Sequence, residues 1–401
     1  MQEAVNFGLY LVIFIFLGYD KKSERDKITR SGGDGMEAPV IKGLSVAAEL
    51  PRGKNNPRNS EGDFARLKDG SVLFAYSRYH GDDDGDDAAC DVAGMISKDD
   101  GRSFAPLPDL LATAAELDTQ NIMSVSLCRI PDGTLCLFYL AKFGPQSAVY
   151  LKRANEENGL SFGPPELCVP KTRGVYYVVN NARLTVSPQG EVLIPLARHP
   201  IVGEKRNRHG SYFGTACVWA GNEHGRNWYR KSKVLSMPYP GHTRTGLQEP
   251  GIEALPDGRL YGYFRTDRHF QYESFSSDGG ATWTRPVPSC FTSPDSPMLI
   301  RRNPFSGVYY AVWNPIPNYN GRLAPDGRWI NAGRTPFVLA QSEDGLNFSR
   351  FTVLEDDPGC GYCYPAMYFL DEKTFLLSYC CGGEEDGMCL TRTRIRRVEI
   401  E

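Results

Sequence analysis

An all-β chain built from repeated small sheets is what this sequence predicts, and three observations predict it. A short stretch, SSDGGATW at Ser276–Trp283, recurs along the chain. Turn pairs followed by alternating hydrophobic runs recur in step with it. No long amphipathic helical pattern interrupts either signal.

The short stretch comes first. SKDDGRSF from Ser97 matches it position for position, with Phe104 in place of Trp283, and SEDGLNF from Ser342 is one residue shorter. NEENGLSF from Asn155 and GNEHGRNW from Gly221 follow the same grammar. The five copies start at 97, 155, 221, 276 and 342, so they recur every 55 to 66 residues. A fixed long period is the signature of a repeat architecture. In such a turn the Asp278 carboxylate accepts backbone N–H groups, Gly280 takes positive φ, and the Trp283 ring is buried between strands of its own sheet.

The turn pairs come second. KDGSVLFAYS at Asp69, PDGTLCLFYL at Asp132, PQGEVLIPLA at Gln189 and PDGRLYGYFR at Asp257 are continued by FSGVYYAVWN at Ser306 and LDEKTFLLSY at Asp371. Asp-Gly between extended runs predicts a two-residue hairpin turn with both central residues at positive φ. Six units of about four short strands, with 41 Gly and 28 Pro to make the turns, predict a six-bladed β-propeller with the Ser-x-Asp turns closing its hairpins. The last unit lacks such a turn. RTRIRRVEI near the C-terminus is expected to pair beside the first strand after Pro57 and so protect the sheet edges.

The propeller is expected over residues 41–401 as one domain. Residues 1–40 stand apart. FGLYLVIFIFLGY, Phe7 to Tyr19, is apolar but short for a membrane span, so no stable span is expected. It resembles the apolar part of a secretion signal, without a positive start or a small-residue cleavage site. Three readings stay open: export to a secreted, periplasmic or cell-surface location, a weak anchor, or a cytoplasmic chain that starts near Met36. A net charge of −3 gives no argument for nucleic-acid binding. The eleven cysteines do not form a small disulfide framework, and the adjacent Cys380 and Cys381 pair poorly with Cys360-x-x-Cys363 as a zinc site. The six histidines show no H-E-x-x-H pairing. No metal and no cofactor is expected.

The repeated stretch resembles the Asp-box, Ser-x-Asp-x-Gly-x-Thr-Trp, of the sialidase (neuraminidase) superfamily. The resemblance covers roughly residues 55 to 400. It implies a six-bladed propeller that hydrolyses a terminal sialic acid from a glycan or glycoconjugate. A tyrosine nucleophile is paired with a glutamate, an aspartate on a loop serves as acid and base, and three arginines hold the sugar's carboxylate. A neutral phenol suits an anionic substrate, which would repel a carboxylate nucleophile.

The family's roles carry over where residues match. EPGIEALPDGRLYGYFR places Glu249 as the base and Arg265 as the second arginine. GRTPFVLAQSEDG places Arg334 as the third. GYCYPAMYFL places Tyr364 as the nucleophile, with Tyr362 as the competing phenol. The acidic loop HGDDDGDDAAC offers Asp86 or Asp87, then Asp84, as acid/base. Its spacing does not fit an EF-hand, and a merely solvated loop is the alternative.

Two departures concern the first arginine. In NNPRNSEGDF its place is taken by Ser60 or Glu61, with Arg58 two to three residues away and able to reach in. The glutamate that steadies that arginine is Cys380 here, after Tyr379. YYVVNNARLTV adds Asn180, Asn181 and Arg183 as further groups for sugar hydroxyls or a carboxylate. The expected function is therefore a sialidase-like exo-glycosidase acting on an acidic, sialic-acid-like sugar. The alternatives are a glycosidase of the same fold using paired carboxylates on another sugar, or a non-catalytic glycan-binding propeller.

Overall fold

The computed structural model describes residues 41–155, 160–201, 213–317 and 333–400. The apolar run Phe7–Tyr19 and the signal or anchor expected there lie outside the described residues, as does part of the Ser-x-Asp copy at Asn155.

The described chain is all-β and is arranged as a β-propeller of antiparallel meanders. β1 (Ile41–Leu50) comes first. β2 (Asn59–Arg66), β3 (Val72–Tyr79), β4 (Cys90–Ser97) and β5 (Ala105–Pro106) form one meander. β6 (Asn121–Arg129), β7 (Leu135–Phe143), β8 (Gln146–Arg153) and β9 (Glu166–Val169) form the next. In the third, β10 (Val175–Val178) and β11 (Thr185–Val186) both pair with β12 (Val192–Pro200), followed by β13 (Thr215–Gly221) and β14 (Tyr229–Arg230). β15 (Gln248–Ala254), β16 (Leu260–Arg265), β17 (Phe270–Ser276) and β18 (Val287–Thr292) follow. Then come β19 (Leu299–Arg302), β20 (Tyr309–Trp313), β21 (Phe337–Ser342) and β22 (Ser349–Glu355). The last meander is β23 (Gly361–Phe369), β24 (Thr374–Gly382) and β25 (Thr393–Ile400).

Six separate sheets were expected. Among the described residues the hydrogen bonds give five: four stand alone, and one has eight strands. In the eight-stranded sheet the first two meanders touch at a single parallel bridge, Cys90 with Asn121. The side-chain amide of Asn121 is tied to the carbonyls of Asp86 and Ala88, and this draws the start of β6 onto the end of the preceding loop. The edge pairing also differs from expectation. β25 pairs with β1, in the order β1-β25-β24-β23, and the strand after Pro57 belongs to the neighbouring sheet. The outermost position of the last sheet is thus filled by residues 41–50, which precede all the turn-pair repeats.

The Ser-x-Asp turns join third strands to fourth strands. In the fullest copy, Ser276 Oγ bonds Asp278 Oδ1 (2.8 Å), the Gly280 N–H donates to Ser276 Oγ (2.8 Å), and Thr282 Oγ1 donates to Asp278 Oδ2 (2.6 Å). Trp283 Nε1 donates to the Gly280 carbonyl (2.9 Å), and its ring lies where a Cβ on Gly262 would come within 2.8 Å. Ser97–Asp99 and Ser342–Asp344 repeat the hydroxyl–carboxylate bond at 2.8 Å each.

The Asp-Gly turns are a correction. Their glycines have positive φ (Gly70 87°, Gly133 90°, Gly258 85°), but the preceding aspartates do not. Each aspartate instead accepts the N–H two residues on, as Asp69 does from Ser71 (2.9 Å) and Asp132 from Thr134 (2.9 Å). A side chain that makes its own local turn leaves one positive φ to the glycine alone.

Apolar faces of neighbouring meanders pack together, for example Phe337, Met367 and Phe375 in one cluster. Polar links also run between meanders. Asn181 Nδ2 donates to the carbonyls of Gly62 (2.9 Å) and Tyr364 (3.2 Å), and the Leu127 N–H donates to Asp63 Oδ2 (2.9 Å). Arg301 donates to the Ala182 carbonyl and to Glu253 Oε2 (3.4 Å).

Candidate active site

A shared irregularity positions the site. The first strand of several meanders carries one residue in the left-handed region: Glu61 (φ 51°) on β2, Ser124 (59°) on β6, Glu249 (42°) on β15 and Tyr364 (54°) on β23. The strand registers shift at the same places, between Ser60 and Gly62, Met123 and Ser126, Gln248 and Gly251, and Cys363 and Ala366. These are bulges, which re-aim a side chain out of the regular alternation of a strand. All four residues line one cavity of about 590 Å³. Asn180, Lys142, Arg265, Arg334 and the acidic loop at Asp83–Asp87 share it.

Tyr364 sits at its centre of charge. The phenol donates to Glu249 Oε1 (2.9 Å), and Arg265 Nη1 donates to the same oxygen (2.8 Å). Arg265 Nε is held by Asp295 Oδ1 (2.6 Å). The Arg334 guanidinium lies 5.5 Å from the Tyr364 ring centroid. Burial, then the Glu249 charge, pushes the phenol well above its ordinary range, while Arg265 and Arg334 pull it down. Glu249 Oε2 is buried and has no hydrogen-bond partner among the described residues. An orphaned carboxylate oxygen beside a phenol leaves Glu249 able to take a proton. The ring of the competing Tyr362 is buried against Phe337 and Tyr379, and Tyr362 is not among the residues that line the cavity.

Arg334 has soft neighbours. Its Nη1 lies 3.0 Å from Cys363 Sγ and 3.9 Å from Cys389 Sγ. The Cys363 hydrogen bond, with Arg334 adding to it, draws the Cys389 thiol down to about 6.

The acidic loop is paired with cations. Asp86 Oδ1 accepts from Arg58 Nη1 (2.7 Å), and Asp87 Oδ1 accepts from Lys142 Nζ (3.3 Å). Lys142 also bonds the Asp86 carbonyl. Asp86 and Asp87 both line the cavity and stay about half exposed. The Asp84 carbonyl accepts from Arg58.

Arg58 and Arg183 are buried and engaged by other groups of the protein. Arg58 is fully buried, 4.5 Å over the Tyr79 ring, and is spent on Asp86, Asp84 and Glu61. Arg183 is buried and donates to the Tyr263 hydroxyl (3.2 Å) and the Met298 carbonyl (2.5 Å). Neither is among the described residues that line the cavity. Ser60 Oγ meets Cys380 Sγ at 3.2 Å, so the two uncharged replacements noted in the sequence touch each other. Glu61 does face the cavity. Its Oε1 accepts from Arg58 Nη2 (3.2 Å) and its Oε2 from Ser124 Oγ (2.9 Å), and burial pushes its carboxyl up to about 7.

Sequence reasoning missed Ser124, Lys142 and His199, which also line the cavity. Ser124 was findable: it stands nine residues before Gly133, as Glu249 stands nine before Gly258 and Glu61 nine before Gly70. Lys142 and His199 sit near the far ends of second strands, nine residues after the turn glycines Gly133 and Gly190, a mirror of the same spacing that the sequence reading did not use.

A propeller pinned by Asp-box turns, with a tyrosine and a carboxylate bonded in its cavity, places the chain in the sialidase-like class of proteins. The chain belongs to the BNR repeat-like family, whose model matches residues 108–375, and so to the sialidase/BNR superfamily. No curated protein sequence matches it. Among solved structures it is similar to a Hadza microbial sialidase (TM-score 0.65, 13% identity) over 86% of this chain and 66% of that one, so it spans about two thirds of that protein's length. It is similar to a protein of unknown function from Dyadobacter fermentans (TM-score 0.64, 16% identity) over 90% of this chain and 100% of that one. It is also similar to the NanB sialidase from Streptococcus pneumoniae (TM-score 0.63, 11% identity), over 89% and 70%. At such identities the likeness is one of fold. Among the described residues no helix is long and apolar enough to cross a membrane.

Proposed function

We propose that this protein is a sialidase-like exo-glycosidase that removes a terminal, sialic-acid-like sugar from a glycan. The observation that carries the reading is the Tyr364–Glu249 hydrogen bond of 2.9 Å in a cavity shared with Arg265 and Arg334. The Tyr364 oxygen attacks the anomeric carbon as its proton passes to Glu249. Asp86 or Asp87 protonates the departing glycosidic oxygen, so the aglycone leaves as its alcohol. The same aspartate then takes a proton from water, which attacks the anomeric carbon and releases Tyr364, whose oxygen takes its proton back from Glu249. Arg265 and Arg334 hold an anionic or strongly polar group of the sugar through charge-assisted bonds. Counting the eight-stranded sheet as two blades makes the ring six-bladed over residues 41–401, which suits a site drawn from several strand ends.

Glu61 favours a second reading, a sugar other than sialic acid in the same cavity, because a carboxylate stands where a third cation would complete a clamp. The test is release of 4-methylumbelliferone from a panel of aryl glycosides headed by the α-sialoside. Wild type is expected to turn over a member of the panel, and Tyr364→Phe to lose at least about 100-fold in kcat with unchanged circular dichroism, as loss of a nucleophile requires. Full activity in Tyr364→Phe contradicts the proposal.

A further inference from the structure

We infer that Glu61 determines which sugar the cavity accepts: it selects a neutral substituent beside the anomeric carbon that can donate a hydrogen bond, such as a hydroxymethyl, hydroxyl or amide, over an ionised carboxylate. The inference rests on the glycosidase reading of the same site in its second form, a sugar other than sialic acid.

Glu249, Arg265, Arg334 and Glu61 line the same cavity as the Tyr364 phenol, and all four act on it electrostatically. A group that sits beside the reacting carbon therefore shares one cavity with two cationic donors and with a carboxylate that the proton transfer does not use. Arg265 and Arg334 are donors only. Glu61, when ionised, is an acceptor only, with room for about four hydrogen bonds. Two of those are used, by Arg58 and Ser124. These two bonds leave part of that capacity unused in a residue that lines the cavity.

Arg58 does not reverse this. Its guanidinium is shared between Glu61 and Asp86 and stacked on Tyr79, outside the cavity lining. The lining charges themselves are three cations, Lys142, Arg265 and Arg334, against five acids, Glu61, Asp83, Asp86, Asp87 and Glu249. That balance does not draw in an anion. A substrate carboxylate would satisfy the two arginines but present only acceptor oxygens to Glu61, and two facing carboxylates repel. An amide or hydroxymethyl group accepts from the arginines and donates to Glu61 at once.

Glu61 is also fixed in place. It lies in a bulge at φ 51°, is buried to 4% exposure, and its following residue admits no side chain: a Cβ on Gly62 would come within 2.3 Å of the Phe74 ring. The Glu61 carboxylate is in addition tied to Arg58 and Ser124.

The test uses three forms of one aryl α-sialoside, with the free C1 carboxylate, the C1 carboxamide and the C1 hydroxymethyl group. Initial rates are measured at pH 8 with wild type and Glu61→Gln, the variant that keeps an acceptor for Ser124 and loses the charge. Wild type is expected to favour a neutral form over the carboxylate by at least about 10-fold in kcat/KM. Glu61→Gln is expected to erase most of that ratio, through KM rather than kcat. A wild-type preference for the carboxylate, or the same ratio in both proteins, overturns the inference. If wild type hydrolyses none of the three, the sialoside-shaped substrate fails, and the glycosidase reading is judged separately on the aryl glycoside panel. Calorimetric binding of the corresponding 2,3-unsaturated glycals then decides on Glu61: a neutral preference lost in Glu61→Gln upholds its role, and equal binding or no binding overturns it.

Discussion

Two kinds of carboxyl group in this protein are tuned in opposite directions. Burial pushes Glu61, Asp63 and Glu253 up to about 7 from ordinary values of 4.5, 3.8 and 4.5. In the Ser-x-Asp turns, hydroxyl and backbone hydrogen bonds hold Asp99 and Asp278 down at about 2. The buried acids bind protons more tightly folded than unfolded, so their contribution is complete below about pH 4 and is lost as pH rises through about 7. The turn aspartates contribute above about pH 4, and that contribution is lost as pH falls through about 2. Stability from these groups is therefore expected to peak between the two limbs. Urea unfolding across pH should show a decline from about pH 5 to 7 that is shallower in Glu253→Gln; equal slopes would remove the buried acids from the explanation. Of these residues, the sequence displayed the turn aspartates, because a repeated Ser-x-Asp pattern encodes its own hydrogen bonds. It could not display Asp63 or Glu253 as buried, because their partner Arg301 comes from a distant strand. Tyr364, Glu249, Arg265 and Arg334 were named from the family resemblance, and the structure brings the four into one cavity. The engagement of Arg58 and Arg183 by other residues was not, since it depends on Tyr79 and Tyr263 packing against them.

At the scale of elements, the bulged first strand is the device that builds the site. Glu249 and Gly251 act together: the bulge turns Glu249 to the cavity, and Gly251 lets the strand pass the Tyr263 ring, where a Cβ would come within 2.1 Å. Tyr263 also receives Arg183 and the Ile300 N–H on its hydroxyl, so it cannot yield freely. Gly251→Ala is expected to destabilise by about 1–3 kcal/mol, the usual cost of overpacking. It should also raise KM or lower kcat by displacing Glu249. Denaturant unfolding and steady-state kinetics on the same sample check it; an unchanged midpoint with unchanged kinetics would show that the bulge does not depend on this contact. Alternation of apolar residues made the strands readable, but a bulge breaks alternation by one residue and leaves no mark in composition. The hairpin turns show a related limit. Asp-Gly announced the turn correctly but not its geometry, because the aspartate side chain captures the N–H two residues on.

At the scale of the whole molecule, pairing of β1 with β25 joins the two ends of the described chain across eight aligned residue pairs. The repeat pattern predicted closure by terminal strands, but not which ones: residues 41–50 carry neither of the repeated signals. Joining the ends lets strand starts from far apart in sequence share one cavity. Tyr364 and Glu249 are 115 residues apart and bonded. The most direct measurement of the central claim is covalent trapping. The 2,3-difluoro derivative of whichever sugar wild type releases is incubated with the enzyme, and the digested protein is analysed by mass spectrometry. The account predicts one fluorosugar adduct on the peptide containing Tyr364, absent in Tyr364→Phe. An adduct on Glu249 or Glu61, or turnover of the parent glycoside with Tyr364 left unmodified, would contradict it.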